Sequence, residues 1–130
     1  MACDSRISCD TGEYSNGAGK VLRIGDALVG YAGMVSAACK FLAWYADQSK
    51  ERPTFDDDDC VDAVVLTSKG IFSYSNSTYC MRIMEKHFCI GSGSSAATAA
   101  MLCGKTPAEA VKIAIKCDKH SGGPVRNYAL

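Results

Sequence analysis

Five residues have the types and settings to activate a nucleophile: Asp4, Lys20, Ser92, Asp118 and Ser121. Ser92 sits in the turn Gly91-Ser92-Gly93, and Asp118 and Ser121 share the segment DKHSGG. Small polar side chains in glycine turns can line a site without crowding it. Asp4 and Lys20 fall at the ends of extended segments. A lysine held among carboxylates can favour the deprotonated form of a nucleophile through its charge. His87 and His120 make a Ser-His-Asp arrangement conceivable. However, His87 alternates with apolar residues in KHFCI and His120 sits in a polar helix end, so both read as ordinary. The stretch Gly91–Ala96 fits the local pattern GxGxxA of a dinucleotide turn. That motif needs a following parallel strand bearing an acid. Here one helix leads directly into another, so a nucleotide-binding module using Gly91–Ala96 stands as a lesser alternative.

The segments that must position these residues follow from periodicity and breakers. Met1–Ser8 reads as a strand and Lys20–Ile24 as a second. A Gly25-Asp26 turn joins it to a third, Ala27–Ala32, as in a hairpin. After Gly33 the spacing becomes helical, with Val35, Ala38, Leu42 and Tyr45 in line and Phe41 on the flank. The helix fades over Gln48–Arg52 and Pro53 ends it. Pro53–Asp59, with four consecutive aspartates, reads as a solvated acidic turn; it lacks the alternating ligands of a calcium loop. Strands are expected at Asp62–Thr67, Ile71–Tyr74, Tyr79–Met84 and Lys86–Ile90. A helix over Ser94–Cys103 stops at Gly104. Thr106, Pro107 and Glu109 make a capping box at the start of the next helix. Its apolar face is Ala110, Ile113, Ala114 and Cys117. A short strand, Val125–Leu130, is expected at the end. Strands joined by tight turns, with helices in blocks, specify an α+β fold of antiparallel sheets.

Composition narrows the function classes. The chain has 130 residues, enough for a single domain, 1–130, with a real core. Fourteen basic and fourteen acidic residues cancel, so no strong basic field favours nucleic acid. No apolar run reaches the length of a membrane span, and the first residues do not form a signal peptide. The reading is a soluble, cytoplasmic protein without a membrane partner. Eight cysteines (Cys3, Cys9, Cys39, Cys60, Cys80, Cys89, Cys103, Cys117) include no CxxC pair. They are expected to be reduced and packed as small core residues, with no metal and no cofactor.

Four motifs in order, MACDSRIS, KVLRIGDALVGYAGM, IGSGSSAATAAM and AEAVKIAIKCDKHSGG, resemble proteasome β subunits and the HslV-type peptidase, with short bacterial or phage members the nearest in kind. The resemblance spans nearly the whole chain. It implies the N-terminal-nucleophile hydrolase fold, a four-layer α-β-β-α sandwich of two antiparallel sheets between helices. It also implies a threonine-type peptidase that assembles into homo-oligomeric rings, acts on polypeptide and works with an ATP-driven (AAA+) unfoldase. Motif by motif, Asp4 matches the aspartate after the family's second strand, and Lys20 matches the lysine beside the nucleophile. Gly33 matches the glycine whose N–H forms the oxyanion hole. Ser92, Asp118 and Ser121 match the polar network around the catalytic amine. Tyr31 falls near the position that shapes the primary specificity pocket. The sequence departs from the pattern at its start. The family's first strand and its threonine precede the ACDSR segment, and Met1 stands directly on the second strand. The expectation is a shortened form whose nucleophilic threonine lies upstream of Met1, with a sheet edge left open by the missing strand. A non-catalytic structural or interaction subunit of the same fold is the alternative.

Overall fold

The computed structural model describes residues 1–9, 12, 14–56 and 58–130. Nine strands and three helices occur among them. The chain divides into two compact units, Met1–Val21 with Glu85–Ala129, and Leu22–Met84 with Leu130.

The first unit carries the N-terminal segment and both closing helices. The expected strand Met1–Ser8 is broken into β1 (Ala2–Cys3) and β2 (Ile7–Ser8). Asp4, Ser5 and Arg6 leave the ladder between them, because their polar groups bond to distant turns. Ser5 is fully buried; its N–H donates to the Gly122 carbonyl at 3.1 Å and its hydroxyl to the Pro124 carbonyl. A buried hydroxyl without such an acceptor would cost more than one more strand pair could return. β2 pairs antiparallel with β3 (Tyr14–Ser15). Part of the polar loop between them, Asp10, Thr11 and Glu13, lies outside the described residues. β1 pairs antiparallel with β9 (Arg126–Asn127), shorter than the expected Val125–Leu130. Lys86–Ile90 forms no strand, contrary to its alternating pattern.

Helices α2 (Ser94–Leu102) and α3 (Pro107–Cys117) pack through Ala97, Ala100, Met101, Ala110 and Ala114. Small residues let the two backbones approach closely. The Gly104 turn between them satisfies α2's last carbonyls: Lys105 N–H reaches Ala100 and Gly104 N–H reaches Met101. This is the Schellman arrangement, and φ +82 at Gly104 suits glycine. α3 starts on the expected capping box, with Thr106 N–H donating to Glu109 Oε2 at 2.9 Å and Glu109 N–H to Thr106 Oγ1 at 3.4 Å.

The second unit is a helix on a sheet. Strands β4 (Val21–Ile24), β5 (Ala27–Gly33), β6 (Val61–Thr67), β7 (Gly70–Ser75) and β8 (Met81–Ile83) lie in that order. β5 to β8 pair antiparallel. Val61, Ala63 and Val65 alternate inward along β6, as the period of two requires. Helix α1 (Val35–Ala46) covers this face with Ala37, Ala38, Phe41 and Trp44. Phe41, expected on the flank, is central: it contacts the rings of Trp44, Tyr45 and Tyr74 with centroids 5.0–5.9 Å away. Val35 is exposed. The buried stripe is therefore rotated about one residue from the expected one. The acidic turn is only partly solvated. Asp56 and Asp58 are exposed and Asp57 lies outside the described residues, but Asp59 turns inward to Lys40 Nζ at 2.8 Å.

The cysteines also differ from expectation. Cys3 and Cys89 are half-buried and the other six are exposed. Apolar neighbours in sequence did not carry them inward, since Cys103 and Cys117 occupy the outer faces and ends of α2 and α3.

Candidate active site

All five polar residues singled out by type fall into two hydrogen-bonded groups in the first unit. Lys20 lies just before β4 and Asp4 just after β1. Lys20 Nζ meets Asp4 Oδ1 at 2.8 Å, with the two side chains only 19% and 13% exposed. The other carboxylate oxygen, Oδ2, accepts the Gly122 N–H at 2.9 Å and the Arg6 N–H at 3.2 Å. Every face of this carboxylate is thus matched by a donor, as a half-buried charge requires.

The second group forms at the C-terminal end of α3. Asp118 is the C-cap, a poor place for an acid because the helix end is partly negative. Local donors compensate. Ser92 Oγ donates to Asp118 Oδ2 at 2.5 Å, and Ser121 Oγ donates to the same oxygen at 2.7 Å. The His120 backbone N–H donates to Oδ1 at 3.2 Å. Burial pushes the Asp118 carboxyl up, but the hydrogen bonds from Ser92, Ser121 and His120 outweigh it and leave it below the usual carboxylate range. The carboxylate therefore stays ionised and acceptor-only, holding two hydroxyls in fixed directions.

Gly93 explains why the GSG turn needs glycine. A Cβ there would stand 2.9 Å from Ser121 Oγ, 3.1 Å from Ala114 Cβ and 3.5 Å from Asp118 Oδ2. The turn packs directly on the serine–aspartate group. Gly93 serves that packing, and α2 runs on to α3 with no βαβ unit among the described residues, so the dinucleotide reading finds no support. The two groups share one turn: Ser121 binds Asp118, and the next residue, Gly122, binds Asp4.

Sequence reasoning missed three participants. Ser5, Arg6 and Gly122 tie the N-terminal segment to the 119–124 turn across more than a hundred residues. No local period or motif announces such contacts; only the adjacency of Ser5 and Arg6 to Asp4 pointed there. His87 is exposed, and His120 bonds to Asp118 through its backbone.

Tyr31 and Gly33 lie on β5 in the second unit. Gly33 has φ +100, and a Cβ there would overlap the Cys60 carbonyl oxygen. The Met34 N–H that follows donates to that same oxygen at 2.6 Å. Only glycine permits this backbone. Among the described residues no group of histidine, cysteine or carboxylate side chains could hold a metal, and no helix is long and apolar enough to cross a membrane.

No protein-family model matches the sequence, and no curated protein sequence matches it. The fold, in contrast, is shared with solved structures. HslV from Trypanosoma brucei superposes with a TM-score of 0.75 at 18% identity, over 96% of this chain and 88% of that one. BPH from Thiobacillus denitrificans gives 0.74 at 19% identity with the same coverage. Anbu, an ancestral β subunit from Yersinia bercovieri, gives 0.64 at 12% identity, over 95% of this chain and 73% of that one. The chain thus shares the α+β fold of HslV and BPH.

Proposed function

We propose that this chain is a protomer of a threonine-type peptidase of the HslV–proteasome kind. The observation that carries the reading is the joined pair of groups, Lys20–Asp4 and Ser92–Asp118–Ser121, linked by the 121–122 turn. A merely structural subunit has no need for a lysine ammonium with a fully occupied carboxylate beside an ionised serine–aspartate cluster. In this reading the nucleophile is a threonine preceding Met1. Its hydroxyl attacks the scissile carbonyl of a polypeptide. Its own α-amine, with a pKa near ~8, takes the hydroxyl proton as general base. Lys20 favours the deprotonated nucleophile by its charge, and Asp4 holds Lys20. Ser92, Asp118 and Ser121 orient the amine. The Gly33 N–H stabilises the tetrahedral oxyanion, and Tyr31 shapes the pocket for the residue before the cut. In this reading residues 1–130 are one domain and no cofactor is needed.

The same reading makes the protomer part of a cytoplasmic homo-oligomeric ring that receives unfolded chains from an AAA+ ATPase. Hydrolysis of a fluorogenic peptide by the protein translated from its full reading frame tests the proposal. Lys20→Ala should lower the rate by at least ~100-fold, the low end of what a positioned acid–base system contributes. Full activity in that variant overturns the role given to Lys20, and no hydrolysis by the unmodified protein overturns the peptidase reading.

A further inference from the structure

The turn 119–122 supplies two groups to the site, the Ser121 hydroxyl and the Gly122 N–H, yet no helix or strand holds it. One side chain grips it from outside. The Arg6 guanidinium donates through Nη1 to the Lys119 carbonyl at 3.1 Å and through Nε to Asn16 Oδ1 at 3.2 Å. Its plane lies over the Tyr14 ring, 4.4 Å from the centroid. Gly122 packs so closely against it that a Cβ at 122 would overlap the guanidinium. The backbone N–H of Arg6 donates to Asp4 Oδ2, the oxygen that also accepts the Gly122 N–H. A single residue therefore touches both halves of the site, near Asp4 by its backbone and near Asp118 by its side chain.

We infer that Arg6 is a positioning residue whose guanidinium fork, braced by Asn16 and Tyr14, clamps the 119–122 turn and so fixes Ser121 and Gly122 on Asp118 and Asp4. The clamp needs a flat cation with donors on two edges. Lysine has the charge but neither the plane that lies against Gly122 and Tyr14 nor two directed donors. The geometry is independent of the peptidase reading; the catalytic consequence rests on it.

The test reads Asp118 directly. Carbon-detected NMR titration of the Asp118 carboxyl is run on the full protein, on Arg6→Ala and on Arg6→Lys. His120 is the charged neighbour acting on Asp118, so every background also carries His120→Gln, which keeps the backbone N–H and removes the imidazole. The clamp predicts that both Arg6 variants move the Asp118 midpoint upward, towards the ordinary carboxylate range, with lysine giving no rescue. An unchanged midpoint in Arg6→Lys overturns the proposal. So does loss of fold in both variants, which would make Arg6 a general structural residue. If only Arg6→Ala fails to fold, Arg6→Lys decides alone. On a peptide substrate the clamp further predicts kcat lower by roughly 100-fold with KM little changed, the size of effect expected from a misplaced catalytic group. A shifted Asp118 in a protein without hydrolysis would sink the peptidase reading and leave the clamp standing.

Discussion

Asp4→Asn is the sharpest perturbation of the site. The substitution keeps the shape of the side chain, removes its charge and turns one accepting atom into a donor. In the native arrangement Oδ1 faces the Lys20 ammonium, and Oδ2 faces two N–H groups. Asparagine has one accepting oxygen and one donating amide. If its oxygen faces Lys20, its NH2 confronts the N–H groups of Gly122 and Arg6. If it is flipped, the NH2 confronts the ammonium. Either way donors oppose donors in a place where both charged side chains are less than a fifth exposed. Leaving a buried donor unmatched costs about 1–3 kcal/mol, and breaking a fully buried ion pair about 3–5 kcal/mol. The residual exposure places this case near the lower range, about 2–3 kcal/mol. With a urea slope of about 2 kcal/mol per molar for a chain of this size, the midpoint should fall by about 1 M. Urea unfolding followed by far-UV circular dichroism reads that shift. Removing Lys20 as well, by Lys20→Met, should recover part of the loss, because the ammonium is no longer opposed. A midpoint for Asp4→Asn indistinguishable from the unmodified protein would refute the claim that this carboxylate is donor-saturated and shielded.

Three further outcomes follow from the same geometry. Gly93→Ala requires Ser121 Oγ to retreat by a few tenths of an ångström from the new Cβ. Since Gly93 has φ −82, no backbone strain contributes, and the expected loss is about 1 kcal/mol from the weakened serine–aspartate bond, read by thermal unfolding. Gly33→Ala meets both a positive φ and the Cys60 carbonyl, so it should cost more than about 2 kcal/mol, and a soluble variant with unchanged melting would contradict the backbone described for β5. Asp118 has a depressed folded pKa, so its contribution to stability is fully present above the unfolded value, near ~3.9, and is lost as pH falls through the folded value. The gap in unfolding free energy between the unmodified protein and Ser121→Ala should therefore narrow as the pH drops below about 4, and a gap constant with pH would show that Ser121 does not act through the ionised carboxylate.

Much of the fold was legible because its signals are local. Thr106, Pro107 and Glu109 announce α3 by filling its first-turn donors, and Gly104 announces the stop of α2 by its φ. The Gly25-Asp26 turn between apolar runs announces the pairing of β4 with β5. The site was legible as residue types in order, since Asp4, Lys20, Ser92, Asp118 and Ser121 could be named but not joined. Their joining depends on Ser5, Arg6 and Gly122, whose partners lie far along the chain and leave no period to read. The same non-local demand explains the broken first strand: Ser5 turns out of the ladder to reach Gly122 and Pro124. Lys86–Ile90 has the alternation of a strand but makes no strand pairing. The cysteines misled because small apolar-tolerant residues fit inside or outside a helix pair equally well, and the α2–α3 contact was already filled by alanines.

The central claim is that the Asp4–Lys20 and Ser92–Asp118–Ser121 groups serve a threonine nucleophile in a peptidase. The most direct measurement is intact and peptide mass spectrometry of the protein, translated from its full reading frame, after incubation with a peptide bearing an electrophile that captures an N-terminal nucleophile. The account predicts a single covalent adduct on an N-terminal threonine upstream of Met1, lost in Lys20→Ala. A protein that begins at Met1, or one with an N-terminal threonine that stays unmodified, would contradict it.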